Sequence, residues 1–149
     1  MLIKMIRHRK LLKYCVEALV DLAFCKYQIV FTRSQRYTAH YGQQHCETLR
    51  EDISTAHQDI IGIKCALRVL PRMVPWRSKC LDQAMAGQRM LNRRRLPNTL
   101  YFGMMRDENK ALVAHAWLRC GDRWIVGYQP HQPHTLVATY AWMPDFITS

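Results

Sequence analysis

The apolar pattern of the chain changes at Pro97, and this change constrains the fold more than any other feature. Upstream, apolar residues such as Ile60, Ile63 and Leu67 recur at the spacing of one face of a helix. Downstream, short runs rich in β-branched and aromatic residues alternate with turn sequences. This order predicts an α+β fold, in which N-terminal amphipathic helices pack with a core made of a helix and an antiparallel sheet.

The same patterns predict individual elements. Pro71 and Pro97 end helices, because a proline disfavours helical backbone in the residue before it. Ser54 and Ser78 are suitable N-caps for the helices that follow them. Helices are therefore predicted over residues 11–31, 45–51, 55–70 and 79–95, and strands over residues 99–105, 110–119, 123–128 and 135–140.

The length bounds the domain organisation. A chain of 149 residues is large enough for one hydrophobic core and too short for two. We therefore predict a single domain over residues 1–149, with a helical N-terminal region over residues 1–74 and the core over residues 75–149.

The charge of the chain favours acidic partners. Lys and Arg number 22 against 11 Asp and Glu, which gives a formal charge of +11. Nucleic acid, anionic lipid and negatively charged peptides would all be attracted to such a protein. Nucleic acid is disfavoured among these partners, because aromatic residues do not alternate with the basic runs as they do in base-stacking surfaces.

The helix predicted over residues 11–31 is apolar on most of its surface. Lys13, Glu17 and Asp21 form a narrow polar stripe along it, and the charges are too many for a membrane span. We expect the apolar surface to be covered by the core or by a partner protein. Peripheral contact with a membrane, through the basic residues at the start of the chain, is the alternative.

Cysteine usage indicates free thiols in a reducing compartment. The six cysteines form no Cys-x-x-Cys pair, and no secretory signal with a small-residue cleavage site is evident. A cytoplasmic location is predicted from this pattern. Most of the cysteines are expected to be small buried apolar residues.

Cys80 differs from the other cysteines because it lies at a predicted helix start. The unpaired amides of a first helical turn carry partial positive charge, which favours a thiolate and can stabilise an oxyanion on a substrate carbonyl. His115, inside a predicted strand, is the best candidate for the base that pairs with this thiol. A structural cysteine and a structural histidine are the alternatives.

A metal site is a weaker interpretation of the cysteine and histidine content. Cys120, His131 and His134 lie close together in the sequence, but their spacing matches no common zinc pattern. No metal and no cofactor is therefore predicted.

Several segments on and around Cys80 and His115 carry a family resemblance: Trp-Arg-Ser-Lys-Cys-Leu at 76–81, Gln-Ala at 83–84, Met-Leu-Asn-Arg-Arg at 90–94, Leu-Tyr-Phe-Gly at 100–103, Ala-His-Ala-Trp-Leu at 114–118 and Thr-Leu-Val-Ala-Thr-Tyr at 135–140. Together they resemble the lasso-peptide leader peptidases, the microcin-processing B proteins. The resemblance implies a papain- or transglutaminase-like cysteine protease core over residues 75–149. It also implies that Cys80 is the nucleophile and that His115 is the catalytic base.

The function implied by this resemblance is removal of the leader peptide from a ribosomally made lasso precursor, after which a separate cyclase closes the ring. Some members carry a winged-helix leader-binding domain ahead of the protease, whereas residues 1–70 here are predicted to be helical. A separate leader-binding protein is therefore implied as a partner. The basic run 93–95 could hold an acidic leader, or it could be a solvated helix end that the helix dipole favours.

The third catalytic residue of that family is an aspartate on the strand after the histidine, and it has no counterpart here. A hairpin around Gly121 and Asp122 places residues 126–128, Val-Gly-Tyr, opposite His115. Asp122 lies at the hairpin tip, about 20 Å from the histidine along the strand. Gln129 or a backbone carbonyl is therefore expected to orient the imidazole.

Two other functions stay open on the sequence alone. The same Cys–His pair could transfer an acyl group to an amine, as a transglutaminase-like fold permits. A basic binding module without enzymatic activity is the third interpretation.

Overall fold

The computed structural model of the protein describes residues 2–33, 36 and 38–147. Helix α1 spans Leu2–Phe31, α2 spans His57–Val69 and α3 spans Cys80–Arg93. Strands β1 to β5 span Gln43–Gln44, Asn98–Arg106, Leu112–Cys120, Arg123–Val126 and His134–Trp142. Short 3₁₀ helices lie at Ser54–Ala56, Leu70–Arg72 and Pro144–Ile147.

The strands of the described residues form one antiparallel sheet in the order β1-β5-β2-β3-β4. Turns join β2 to β3 and β3 to β4, and residues 127–133 carry the chain back to pair β5 with the other edge of β2. The three helices precede the main strands, so the predicted α+β class is confirmed. The change from helix to sheet falls where it was expected, because β2 begins directly after Pro97.

Helix α3 lies at the centre of the molecule and contacts the sheet and both other helices. Ala84, Met90 and Leu91 are fully buried, together with Leu100 and Leu118 of the sheet. Each large apolar side chain buried in this way stabilises the fold by about 1.5–3 kcal/mol. The helix is therefore held along most of its length, which also fixes the position of its first turn.

The polar stripe of α1 faces α3. Asp21 is 1% exposed and accepts hydrogen bonds from Arg89 at 2.9 Å and from Arg93. Glu17 accepts from Arg93 at 2.9 Å and from Arg94 at 2.7 Å. The buried carboxylate is thus paired, as burial of a charge requires. The basic run at the end of α3, which was expected to meet an acidic leader or solvent, holds α1 in place through its first two arginines.

The opposite face of α1 is apolar and uncovered within the described part of the chain. Phe31 is 73% exposed, and Leu12 and Val20 are each 63% exposed. The other exposed apolar residues along this face are Val16, Leu19, Phe24, Tyr27 and Val30. A patch of this size is typical of an interaction surface. The core covers only one side of the helix, and contact of the other side with a partner or a membrane stays a prediction.

The segment predicted as a short helix over residues 45–51 has no helical structure. Its Thr48 amide donates to the hydroxyl of Thr99 on β2 at 2.9 Å. Arg119, only 1% exposed, donates to the Thr48 carbonyl at 2.9 Å. These contacts prevail over the local sequence pattern, because backbone groups buried beside the sheet must find hydrogen-bond partners there.

Helix α3 is shorter than predicted at both ends. Its N-cap is Lys79 and not Ser78, and the backbone amide of Lys79 donates to Asp82 at 2.6 Å. The helix ends two residues early, since Arg95 adopts a φ of 55°, which lies in the left-handed region. Cys80 is therefore the first helical residue and not the second.

Candidate active site

Cys80 is half-buried at the N-terminus of α3. The preceding Lys79 has extended backbone, with φ −106° and ψ 170°, so the chain enters the helix abruptly at the cysteine. Asp82 is 1% exposed and holds the Lys79 amide, which fixes the junction between loop and helix. The remaining first-turn amides have no partner inside the helix and provide partial positive charge beside the thiol.

His115 is half-buried in the middle of β3, opposite Gly103 of β2. Because α3 packs across β3, the His115 imidazole lies close enough to the Cys80 thiol for each group to shift the pKa of the other. Sγ of Cys80 also lies 4.0 Å from the carbonyl oxygen of Ala114. The structure therefore brings together the two residues that the sequence singled out.

The surroundings of this pair favour its charged form. Burial opposes ionisation of the Cys80 thiol, but a hydrogen bond with His115 and backbone amides of α3 and β3 outweigh burial, so the thiol pKa lies below its ordinary value. The hydrogen bond with Cys80 raises the pKa of His115 despite the opposing effect of burial. Both shifts favour a thiolate–imidazolium pair, the reactive state of a cysteine nucleophile.

The carbonyl oxygen of Gly127 holds the other side of the imidazole, 2.5 Å from Nε2 of His115. A carbonyl only accepts hydrogen bonds, so Nε2 carries a proton and Nδ1 is the nitrogen left to take the thiol proton. Gly127 adopts a φ of 85°, and a β-carbon there would overlap the carbonyl oxygen of Ala116. Glycine alone fits this conformation without strain. Of the two expected orienting groups, the structure supplies a backbone carbonyl and not Gln129.

Aromatic rings form a layer next to His115. The ring centroids of Trp117 and His134 lie 5.7 and 6.1 Å from that of His115, and 5.1 Å from each other. Nε2 of His134 is hydrogen-bonded to the Gln129 carbonyl oxygen at 2.8 Å. Trp117 lies on the same face of β3 as His115, because alternate residues of a strand point to the same side, whereas His134 falls just before the strand predicted over residues 135–140. Only the pairing of β5 with β2 reveals that His134 begins a strand beside the candidate site.

The candidate metal ligands do not form a second site in the described part of the chain. Cys120 is fully buried, and burial raises the pKa of its thiol to about 12. Burial raises the pKa of the Cys25 thiol to about 12 as well. Within the described residues, no three His, Cys, Asp or Glu side chains are grouped to hold a metal, so Cys120, His131 and His134 do not assemble into a site.

The sequence profile of the transglutaminase-like superfamily matches residues 26–139, which is more than half of the chain. The chain belongs to this superfamily. No curated protein and no solved structure matches it. Transglutaminase-like proteins are generally cysteine peptidases or acyl transferases, and the matched residues include both Cys80 and His115. Among the described helices of this transglutaminase-like chain, none has the length and apolar character needed to cross a membrane.

Proposed function

We propose that the protein is a cysteine endopeptidase, with Cys80 as the nucleophile and His115 as the general base and acid. The observation that carries this proposal is the placement of Cys80 at a helix start against the strand of His115, whose imidazole is oriented by the Gly127 carbonyl. A lowered thiol pKa and a raised imidazole pKa are what a thiolate nucleophile requires near neutral pH.

The proposed reaction begins when the Cys80 thiolate attacks the scissile carbonyl carbon and the π electrons of that carbonyl move to its oxygen. First-turn amides of α3 donate hydrogen bonds to this oxyanion. The His115 imidazolium then gives its Nδ1 proton to the departing amine, the C–N bond breaks and a thioester remains. Water, deprotonated by the same imidazole, attacks the thioester and releases the carboxylic acid and the thiolate.

The substrate we propose is a ribosomally made lasso-peptide precursor, cut between leader and core. Support comes from the segments around Cys80 and His115 that resemble the leader peptidases. In this function a separate leader-binding protein presents the precursor, and a cyclase uses the released core. The cytoplasm is the compartment that fits this activity, because it keeps thiols reduced.

The Cys80→Ala variant tests the proposed nucleophile. The protein, the precursor and the leader-binding protein are mixed, and the released leader is followed by mass spectrometry. We expect the variant to lose detectable cleavage, because alanine has no thiol to attack the scissile carbonyl. Cys46→Ala, which removes a half-buried thiol elsewhere, should cleave at the rate of the unmodified protein. Undiminished cleavage by Cys80→Ala would exclude the assignment.

Acyl transfer is the second candidate, since the superfamily also contains transferases. A transferase would form the same thioester and resolve it with an amine in place of water. The assay above, repeated with cadaverine as an added amine, separates the two activities. A stable amide product in place of the free acid would identify a transferase, and hydrolysis alone identifies a peptidase.

A further inference from the structure

A cleft of about 620 Å³ lies between α2, the loop before α3 and β4. Its apolar wall includes Ile61 and Val126. Its polar lining contains four cationic side chains and no carboxylate among the described residues; the cations are Lys64, Arg68, Arg72 and Arg123. The cleft thus combines an apolar surface with charged side chains that are all positive.

The cleft lies next to the two segments that hold the Cys80–His115 pair. Ser78 lines it two residues before Cys80, and the Ser78 hydroxyl is buried without a hydrogen-bond partner among the described residues. Val126 lines it directly before the glycine whose carbonyl orients His115. A peptide bound with its scissile bond at Cys80 would therefore place a neighbouring side chain in this cleft.

The cations of the cleft are not needed for the fold. The side chains of Lys64, Arg68 and Arg72 are exposed and form no hydrogen bond or ion pair with any described residue. Among the described residues, the Arg123 side chain is paired with Asp122 alone, at 3.8 Å. Lys64 and Arg68 lie one turn apart on α2, where like charges repel each other. The helix dipole favours Arg68 in the last turn of α2, but it does not account for the others.

We propose that this cleft binds an acidic side chain, Asp or Glu, of the peptide substrate close to the bond that is cut. The inference rests on the proposed function and adds its specificity. Guanidinium groups bind carboxylates through paired hydrogen bonds, and unpaired cations in a concave surface attract an anion. A peptide fits better than nucleic acid, because the lining is partly apolar and contains no aromatic ring for base stacking.

Peptide binding to the full-length Cys80→Ala protein tests the cleft separately from cleavage. The probes are fluorescein-labelled Gly-Leu-Glu-Leu-Gly and its counterpart with Gln in place of Glu, measured by fluorescence polarisation at low salt. We expect the Glu peptide to bind about 10-fold more tightly than the Gln peptide, because charge-assisted hydrogen bonds are stronger than neutral ones. Equal affinities would overturn the proposal.

Substitutions of the cleft cations test whether the preference for the Glu peptide arises in the cleft. The double variant Lys64→Gln and Arg68→Gln should lose most of the preference for Glu, and so should Arg72→Gln, which leaves α2 intact. The matched control Arg9→Gln and Lys10→Gln removes two exposed cations from α1 and should keep the preference. An equal loss in the control would overturn the cleft as the site, because it would indicate attraction to the overall charge.

The remaining outcomes separate this inference from the proposed function. Tighter binding of a single-stranded dT oligonucleotide than of the Glu peptide, with the same dependence on Lys64 and Arg68, would overturn the peptide assignment. No cleavage by the unmodified protein would reject the proposed peptidase, and undiminished cleavage by Cys80→Ala would reject its nucleophile, while the binding result stands in both cases. Cysteine-dependent cleavage without any Glu preference would reject the cleft alone.

Discussion

At the scale of single residues, the orientation of His115 depends on a glycine whose carbonyl has the role that the sequence resemblance assigns to an aspartate. Gly127 orients His115 through Nε2, and its own conformation excludes a side chain. A carbonyl is uncharged, so it fixes the ring and its tautomer but stabilises an imidazolium less than an aspartate would. The raised pKa of His115 depends instead mainly on its interaction with Cys80.

Replacement of Gly127 by Ala should lower kcat for peptide cleavage about 100-fold, the scale of general acid–base assistance. The β-carbon would overlap the Ala116 carbonyl and displace the Gly127 carbonyl from His115. Steady-state kinetics and a thermal melt distinguish this loss from unfolding. Gln129→Ala is the control, and we expect it to keep activity because only the backbone of Gln129 contacts a ring, that of His134. A comparable loss in Gln129→Ala would contradict this account.

The Cys80 thiol should react with iodoacetamide at a pH below that required by an ordinary thiol. The lowered pKa of Cys80 leaves more thiolate at a given pH, and His115→Ala should shift the midpoint of alkylation upward because it removes the hydrogen bond that lowers this pKa. Peptide mapping by mass spectrometry isolates the signal of Cys80. The same cysteine in urea-unfolded protein provides the reference, and its alkylation should have a midpoint at about pH 8.5. A midpoint unchanged by His115→Ala would argue against the pair.

At the scale of elements, α1 is joined to the core by ion pairs as well as by apolar contacts. Carboxylates of α1 meet arginines of α3, and Arg94 also binds Asp59 of α2 at 2.9 Å. The polar stripe of α1 was visible in the sequence, but its cationic partners lie about 70 residues further along the chain. No local pattern could identify them.

Asp21→Ala should reduce the free energy of unfolding by about 2 kcal/mol, because two arginines would lose a buried partner. The loss should be smaller than for a fully buried pair, since the side chains of Arg89 and Arg93 are 42% and 44% exposed. Urea denaturation measures it. Asp52→Ala, which removes an exposed carboxylate, is the control and should change stability by less than about 0.5 kcal/mol.

At the scale of the whole molecule, acid should destabilise the fold through the carboxylates that join the helices. Burial opposes their ionisation, but hydrogen bonds from arginines outweigh it for Glu17, and those from Tyr14 and Arg94 outweigh it for Asp59, so both pKa values are lowered on folding. The contribution of these two carboxylates to the free energy of unfolding is fully present above their pKa in the unfolded chain, about 4. It is lost as the pH falls through their pKa in the folded protein. Thermal melts between pH 7 and pH 3 should show this loss. Arg94→Gln should make the melting temperature less dependent on pH in this range. An unchanged pH dependence in this variant would contradict the assigned role of these carboxylates.

The net charge of +11 is also distributed in a way that composition does not indicate. Arg89, Arg93 and Arg94 are matched by carboxylates inside the fold. The cations of the cleft beside the candidate site are mostly unmatched among the described residues. The total charge predicts an acidic partner, whereas the cleft that we propose as its binding site is visible only in the fold.

The predictions that held were those that depend on local pattern. The change at Pro97 gave the α+β class, and the helix start beside Cys80 was placed within one residue. The prediction for residues 45–51 was wrong, because Thr48 is held by Thr99 and Arg119, which belong to strands far along the chain. His134 falls outside the strand predicted over residues 135–140 for the same reason, since its pairing with Met105 depends on the register of β5 against β2.

The sequence by itself determined the class of fold and the two residues of the candidate pair, because apolar periodicity, prolines and a cysteine at a helix start are properties of short segments. The tertiary structure alone decided that the Gly127 carbonyl orients His115, that the arginines at the end of α3 bind α1, and that a basic cleft adjoins Cys80. Each of these depends on contacts between residues far apart in the chain. Such contacts are set by how the helices pack on the sheet.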